Sequence, residues 1–395
     1  VLQWSALGVE ALSLSSMLAA LQARTAAEAQ SNMSVWQIPN FNIVWADRHG
    51  GLAFRQLGLI PRRTAGGLGI VDSTELGQAW DGYLNAEEMP HVVNPARDYV
   101  VSANNTPTSD FMLDGNYLGH GFRRGYRAKR IEEMIEAKRS HTFDDVVAMQ
   151  LDVLVPEAQM VLDLMIQRVN LTELSSFKQS VIDRLQRWDR KATIDSPETT
   201  IFILWKQKVE TFLFSSDLKK VGKVPLRDTP VRLPVDALWR ALRGEVSHAG
   251  GLVTALHDGL EAALTQLERD LGKPDAVLSN WAWGDYHPMT VQALDGNADW
   301  NMEPFPSPGT RNTVSMAKEE GTGPYTGGTA ASFRLVVELG DEVRAAGVLP
   351  GQSRDVPTST YPDGVNLWRQ GELRDLRFNP SDIAAHTSTE QELVW

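Results

Sequence analysis

The apolar positions in the first part of the chain change from helix spacing to strand spacing. Leucines recur at helical intervals between residues 12 and 21 within a Leu- and Ala-rich stretch, so residues 1–29 are predicted to form one or two helices. Two short apolar runs follow, at 38–47 and 52–58, on either side of the sequence Arg-His-Gly-Gly. Apolar runs of this length around a glycine turn predict a β-hairpin.

Helical patterns dominate the middle of the chain. Apolar residues at i, i+3 and i+4 follow Arg127 and predict a helix that begins there. Thr142, with Asp145 three residues later, predicts the start of another helix through a near capping box. Residues 252–271 form a long amphipathic pattern that ends at Gly272, a residue type common at helix ends.

Strand-like patterns return near the C-terminus, at 309–314 and 331–339. The chain is therefore predicted to have an α+β fold with three parts. Residues 1–124 supply helices and sheet strands, 125–275 form a large helical insertion, and 276–395 supply strands that return to the sheet.

The stretch with the clearest chemical content is the apolar run at 99–101, which breaks at Asn104 and Asn105. A strand that ends on Asn side chains can present uncharged, fixed hydrogen-bond donors to a ligand or an oxyanion. The alternative is that both residues only satisfy the backbone of a turn. Arg127 lies in the first turn of the predicted helix, which is the unfavourable end for a cation, so a partner elsewhere or solvent must hold it.

Composition limits the classes of function. The 395 residues carry a formal net charge of −12, which argues against nucleic acid or an anionic membrane surface as the main partner. No apolar run approaches the length of a membrane span. The chain has no cysteine, which excludes disulfides, thiolate catalysis and Cys-based zinc sites. It begins with Val1 and shows no signal-peptide pattern, so we expect a processed product or a fragment.

Several motifs resemble the penicillin acylase family of N-terminal-nucleophile amidases. The first is Ala-Asn-Asn at 103–105, followed after a variable loop by Tyr-Arg-Ala-Lys-Arg-Ile at 126–131. The second is the hairpin, with its Pro-x-x-Asn strand, Ala-Asp, glycine turn and Gly-x-x-Pro-Arg. Two further motifs follow in the family's order: Trp-Gly-Asp-x-His at 283–287 and a closing segment that begins with Gly-Gln-Ser at 351–353. The resemblance covers nearly the whole chain, as the second part of the catalytic subunit.

The resemblance implies a four-layer αββα sandwich, here partial, and hydrolysis of the N-acyl bond of a β-lactam, an acyl-homoserine lactone or a similar amide. In the family, an N-terminal Ser attacks the amide and its own α-amino group acts as base. By the same resemblance Asn104 contributes to the oxyanion hole and Arg127 lies beside the active site. Asn105 is assigned to substrate binding, and becomes the oxyanion residue if the alignment slips by one.

The nucleophile expected by this resemblance is absent. Ser31 and Asn32 resemble the start of a catalytic chain, but Gln30 precedes them where the family has Gly, so Ser31 is interpreted as a loop or helix C-terminal residue. We therefore expect a C-terminal fragment of an autoproteolytic acylase precursor, or of its catalytic chain, that does not catalyse alone. Its partner would be the missing N-terminal part or the small subunit.

The resemblance implies no required cofactor and a periplasmic or secreted location. Some family members bind calcium through an Asp in the loop after the oxyanion Asn, and Asp110 is the nearest match. Asp114 is its rival, and an ordinary loop carboxylate is the alternative to both.

Two other functions compete with the amidase. The first is a catalytically silent binding or scaffold homologue of the same fold. The second is a carbohydrate-active enzyme, suggested by the 12 Trp residues, although no carboxylate pair stands out. His287 near Asp285 suggests a Ser-His-Asp triad, but no Gly-x-Ser-x-Gly elbow completes it, and His287 is interpreted as structural.

Overall fold

The computed structural model describes residues 3–7, 12–63, 80–108, 112–113, 116–119, 122, 125–221, 235–245, 251–292, 296, 301–321, 323–325, 329–351 and 364–391. The chain divides into two compact units. The first unit contains Val1–Glu132, Val337–Ala345 and Arg377–Trp395, and the second contains Glu133–Val336 and Ala346–Leu376. The three-part division predicted from the sequence stays a prediction.

The first unit contains most of the described strands. Its strands are β1 Phe41–Ala46, β2 Leu52–Leu57, β3 Pro61–Arg63, β4 Trp80–Tyr83, β5 His91–Val93, β6 Met112–Leu113 and β7 Asn116–Tyr117. Its helices are α1 Leu12–Leu21, α2 Ala26–Asn32, the first turns of α3 Tyr126–Glu136 and, near the C-terminus, α12 Pro380–His386. Strands β1, β2 and β5 form one antiparallel sheet in that order, and β3 pairs with β4.

The predicted β-hairpin is confirmed as β1 and β2, and its turn is fixed by Asp47. One carboxylate oxygen of Asp47 accepts hydrogen bonds from the backbone N–H groups of His49 at 2.8 Å and Gly51 at 3.0 Å. The other accepts from the N–H of Ala26 at 2.8 Å, which ties the turn to α2. These backbone donors, Ala26 first, lower the pKa of Asp47. Ser31 lies in the last turn of α2, as interpreted from the sequence.

Helices dominate the second unit. After α3 come α4 Phe143–Gln150, α5 Pro156–Arg168, α6 Ser176–Arg187, α7 Pro197–Val221, α8 Val235–Leu242, α9 Leu252–Leu271, α10 Trp283–Tyr286 and α11 Gly364–Gln370. The later strands are β8 Pro288–Met289, β9 Phe305–Pro306, β10 Arg334–Glu338, β11 Arg344–Val348 and β12 Arg374–Leu376. Within the described residues, no helix combines the length and apolarity needed to cross a membrane.

Local signals placed these helices correctly. The side chain of Thr142 and that of Asp145 form the reciprocal capping box at the start of α4. Helix α9 has the predicted bounds and ends at Gly272, whose φ of 84° is in the left-handed region that glycine tolerates. Helices α7 and α9 pack closely because Gly259 has no side chain: a Cβ there would lie 2.7 Å from Cγ2 of Val209.

A buried ionic cluster lies within this helical core. Lys206 Nζ lies 3.3 Å from Glu157 Oε2 and 3.8 Å from Glu210 Oε1, and Asn312 donates a hydrogen bond to Glu157 at 3.0 Å. Burial raises the pKa of Glu210 to about 7, against the effect of Lys206. Burial would lower the pKa of Lys206, but the surrounding carboxylates, Glu157 first, raise it above its ordinary value.

Two predicted strands are wrong. Residues 309–314 form a turn in which Thr310 N–H donates to Thr313 Oγ1 and that hydroxyl donates to Thr310 O, both at 2.9 Å, because Thr side chains compete for backbone partners. Residues 99–101 belong to no assigned strand. Side chains satisfy the nearby backbone instead: Arg97 Nε donates to Tyr99 O at 3.2 Å.

Candidate active site

Asn104 and Asn105 lie in a tight turn and have different surroundings. The Oδ1 atom of Asn105 accepts from the N–H of Ala103 at 3.0 Å, and its Nδ2 donates to Thr106 O at 2.9 Å. Both ends of that amide therefore bond to the backbone of the turn. Asn104 adopts a left-handed backbone conformation with φ of 63°, and its side chain is exposed.

The amide of Asn104 is held by Arg127. Nη2 of Arg127 donates to Oδ1 of Asn104 at 2.9 Å. A guanidinium only donates hydrogen bonds, so the oxygen of the amide must face Arg127 and the NH2 group must face the other way. In the part of the chain that the structure describes, that NH2 group makes no hydrogen bond. The partner expected for a cation in the first turn of α3 is thus Asn104.

Two further contacts fix this turn against its neighbours. Asn42 Nδ2, on β1, donates to Ser102 Oγ at 3.2 Å, two residues before Asn104. Arg97 Nη1 pairs with Glu132 Oε1 at 2.9 Å, which anchors α3 about 1.4 turns beyond Arg127. The sheet and the helix therefore both position the Asn104 amide.

Asn104, Asn105 and Arg127 line one open cleft with a volume of about 800 Å³. Sequence reasoning missed several residues of its wall. Arg63 stacks over the ring of Trp80, with 5.5 Å from the guanidinium carbon to the ring centroid, and Phe122 contributes a second aromatic surface. Arg63 directly follows the Gly-x-x-Pro-Arg motif, whose own arginine is Arg62, so the motif did not single it out.

The cleft is cationic. Arg63 and Arg127 are the ionisable side chains among its described lining residues, which include no Asp, Glu, His or Lys. Such a site offers hydrogen-bond donors and positive charge to a developing oxyanion. Its described residues supply no general base.

The other sequence-predicted candidates lie elsewhere. His287 is fully buried, stacks on Trp283 with ring centroids 4.6 Å apart, and has its pKa lowered by burial. Nε2 of His287 lies 3.3 Å from Lys318 O, and among the described residues no hydrogen bond or ion pair joins it to the exposed Asp285. Asp110 and Asp114, the calcium candidates, lie outside the described residues. Among the described residues there is no cluster of three or more His, Asp or Glu side chains that could hold a metal.

Comparison with known sequences identifies the family of the chain. The family model described as Penicillin amidase matches residues 1–385, which is nearly the whole chain. The chain belongs to the penicillin amidase family.

Relatives within the penicillin amidase family include two Pseudomonas proteins. Acyl-homoserine lactone acylase QuiP of Pseudomonas aeruginosa is 23% identical over 396 residues, covering 87% of this chain and 45% of that protein. Penicillin acylase 2 proenzyme of a Pseudomonas species is 24% identical over 392 residues, covering 94% and 48%. The chain therefore spans about half the length of the curated relatives it matches.

A solved structure shows the fold. A thermostable penicillin G acylase from Alcaligenes faecalis matches with a TM-score of 0.67 at 16% identity, over 100% of this chain and 74% of the other. This penicillin amidase homologue thus has the N-terminal-nucleophile hydrolase fold, and the fold class predicted from the sequence is confirmed.

Proposed function

We propose that this chain is part of an amide hydrolase that cleaves the N-acyl bond of a β-lactam, an acyl-homoserine lactone or a similar amide. The observation behind this proposal is the Asn104 amide, whose oxygen is held by Arg127 and whose NH2 group makes no hydrogen bond to any described residue. Membership of the penicillin amidase family and the names of the two relatives support the same reaction class.

In this proposal the Asn104 NH2 group donates to the oxyanion that forms when the amide carbonyl is attacked. Arg127 is the positioning residue: it fixes the orientation of that amide and adds positive charge beside the developing anion. Asn105 supports the turn and lines the substrate cleft. The aromatic surfaces of Trp80 and Phe122 would contact the acyl group.

The nucleophile would come from outside this chain, as an N-terminal Ser that attacks the carbonyl carbon while its α-amino group takes the hydroxyl proton. An acyl-enzyme forms, the amine leaves with that proton, and water then releases the acid. The chain would assemble with the remaining part of a processed precursor. Asp110 as a structural calcium ligand and a periplasmic or secreted location stay predictions, and the reaction itself needs no cofactor.

The test uses the full-length gene product that contains this chain. Hydrolysis of an N-acyl homoserine lactone and of an N-acyl β-lactam is measured for the wild type and for Asn104→Ala. Loss of one oxyanion donor should lower kcat by about 100- to 1,000-fold. The matched control is Asn94→Ala, because Asn94 also has positive φ and caps the β2 backbone through Leu52 N–H. Asn94→Ala should lower stability but leave kcat per folded molecule unchanged.

A folded, processed wild-type protein that hydrolyses neither amide would refute the proposal. That result would favour the catalytically silent homologue. Equal loss of kcat in Asn104→Ala and Asn94→Ala would also contradict it, because the effect would then not be specific to the Asn104 side chain.

A further inference from the structure

A second cavity lies within the helical unit and has a volume of about 570 Å³. It shares no lining residue with the Asn104 cleft. Its size falls in the range of small-molecule sites. Much of its wall is apolar, formed by Leu151, Val153, Ile194, Phe305, Met316 and Trp368.

Arg334, the first residue of β10, lines this cavity and is only 6% exposed. Its guanidinium stacks on Trp368, 4.5 Å from the ring centroid, and its Nη1 donates to Trp368 O. Trp368 is itself fixed by a hydrogen bond from Nε1 to Ala331 O at 3.0 Å. The Nε atom of Arg334 has no hydrogen-bond partner within the described residues.

A buried cation is ordinarily paired with a carboxylate. Arg55, 3% exposed, lies 3.6 Å from Glu87, and the partly buried Arg311 pairs with Glu319 at 3.2 Å. Arg334 has no carboxylate partner in the described part of the chain. Burial lowers the pKa of Arg334 to about 10, so it keeps its charge at neutral pH.

A second arginine contributes to the same wall. Arg369 is exposed and lies over the ring of Phe305, 4.5 Å from its centroid. The described residues that line the cavity include no Asp or Glu, although the whole chain carries a net charge of −12. Low-dielectric walls around two cations concentrate positive potential in the cavity.

We propose that this cavity binds a small organic acid with an apolar body. The carboxylate would accept hydrogen bonds from the guanidinium of Arg334, whose planar fork matches a carboxylate. The aliphatic or aromatic body would lie against Phe305, Ile194 and Met316, and Arg369 would add charge from the exposed side. The proposal does not rest on the acylase activity, because binding is measured directly.

The first measurement is calorimetric titration of octanoate into the full-length protein, with octanamide as the neutral match of equal length. Octanoate should bind at one site, and octanamide should bind at least about tenfold more weakly because it lacks the charge that strengthens these hydrogen bonds. Octanoate titrated into Asn104→Ala should give the same affinity, which separates this cavity from the proposed active-site cleft.

Two variants locate the site. Arg334→Lys keeps the positive charge but loses the planar guanidinium. It should weaken the binding of octanoate by about tenfold or more. Arg369→Ala, at an exposed position, should weaken the binding of octanoate several-fold without loss of thermal stability. Its matched control is Arg243→Ala, because Arg243 is also exposed and stacks on Trp239 at 4.6 Å, and this variant should bind octanoate as the wild type does.

Three results would overturn the proposal. Absence of octanoate binding to the folded protein is one. Equal affinity for octanoate and octanamide is another, since the cavity would then select only apolar bodies. The third is binding that survives Arg369→Ala and Arg334→Lys but is abolished in Asn104→Ala, which would place the acid in the cleft. If Arg334→Lys fails to fold, the Arg369→Ala and Arg243→Ala pair decides.

Discussion

The Asn104 cleft and the Lys206 cluster use polar side chains in opposite ways. In the cleft, Arg127 bonds the oxygen of an exposed amide, and the NH2 group has no partner among the described residues. In the cluster, Lys206 lies between Glu157 and Glu210; both carboxylates are buried and the Lys206 side chain is only 15% exposed. The first arrangement leaves donors unused within the described part of the chain, whereas the second neutralises its charges internally.

The difference teaches that a perturbed pKa does not identify the candidate site in this protein. The pKa of Glu210 is raised to about 7 within the helical core, where burial is the main cause. The Asn104 amide does not titrate, and its interest comes from geometry. Perturbed titration often marks functional sites, but structural ion pairs perturb pKa values too.

The largest effect is predicted for a substitution that breaks the Lys206 cluster. Lys206→Met leaves Glu157 and Glu210 without their shared cation, and should lower the free energy of unfolding by about 3–5 kcal/mol in urea titration. The matched control is Lys178→Met, since Lys178 pairs with Glu261 at the surface. Loss of that exposed pair should lower the free energy of unfolding by less than about 1 kcal/mol. Equal losses in the two variants would contradict the comparison.

The second prediction concerns the orientation of the Asn104 amide in the cleft. Arg127→Gln removes the guanidinium that holds Asn104. If the full-length protein has the proposed activity, this change should lower its kcat by about 10- to 100-fold, because the amide can then rotate away. KM should change little if Arg127 acts through Asn104, and Arg127→Lys should recover part of kcat. A rise in KM with unchanged kcat would instead assign Arg127 to substrate binding.

The third prediction is a pH dependence in the helical core. The folded protein holds the Glu210 proton up to about pH 7, whereas the ordinary pKa is 4.5. The stability that depends on this proton is complete below pH 4.5 and is lost as the pH rises toward 7, by up to about 1.4 kcal/mol per pH unit. Glu210→Gln should flatten that part of the curve of unfolding free energy against pH. An unchanged slope would show that Glu210 does not titrate there.

The smallest predicted effect concerns the start of helix α4, which the local sequence determines. Thr142→Ala removes the capping hydrogen bond to the N–H of Asp145 at 3.2 Å and should cost about 1 kcal/mol of unfolding free energy. Thr142→Ser keeps the hydroxyl and should behave like the wild type. No difference between Ala and Ser would mean that the cap adds nothing measurable to α4.

Local patterns were reliable wherever the stabilising partners are near in sequence. The capping box of α4, the glycine end of α9 and the hairpin turn at Asp47 each depend on residues within about four positions. The same local logic failed at residues 309–314, because Thr310 and Thr313 use their hydroxyls to close a turn that an alternating pattern does not reveal.

The sequence by itself determined the family, the fold class and the residue types at the candidate site. It identified Asn104 and Arg127 by motif, but left open whether the amide was engaged by the turn or available to a ligand. Only the tertiary structure places the amide oxygen against Arg127, because that contact joins residues 23 positions apart. The same holds for Arg334, because its burial and its stacking on Trp368 depend on residues far apart in the chain, and no carboxylate among the described residues pairs with it. Which side chains contact each other over such separations depends on how the elements pack, and a local sequence pattern does not predict it.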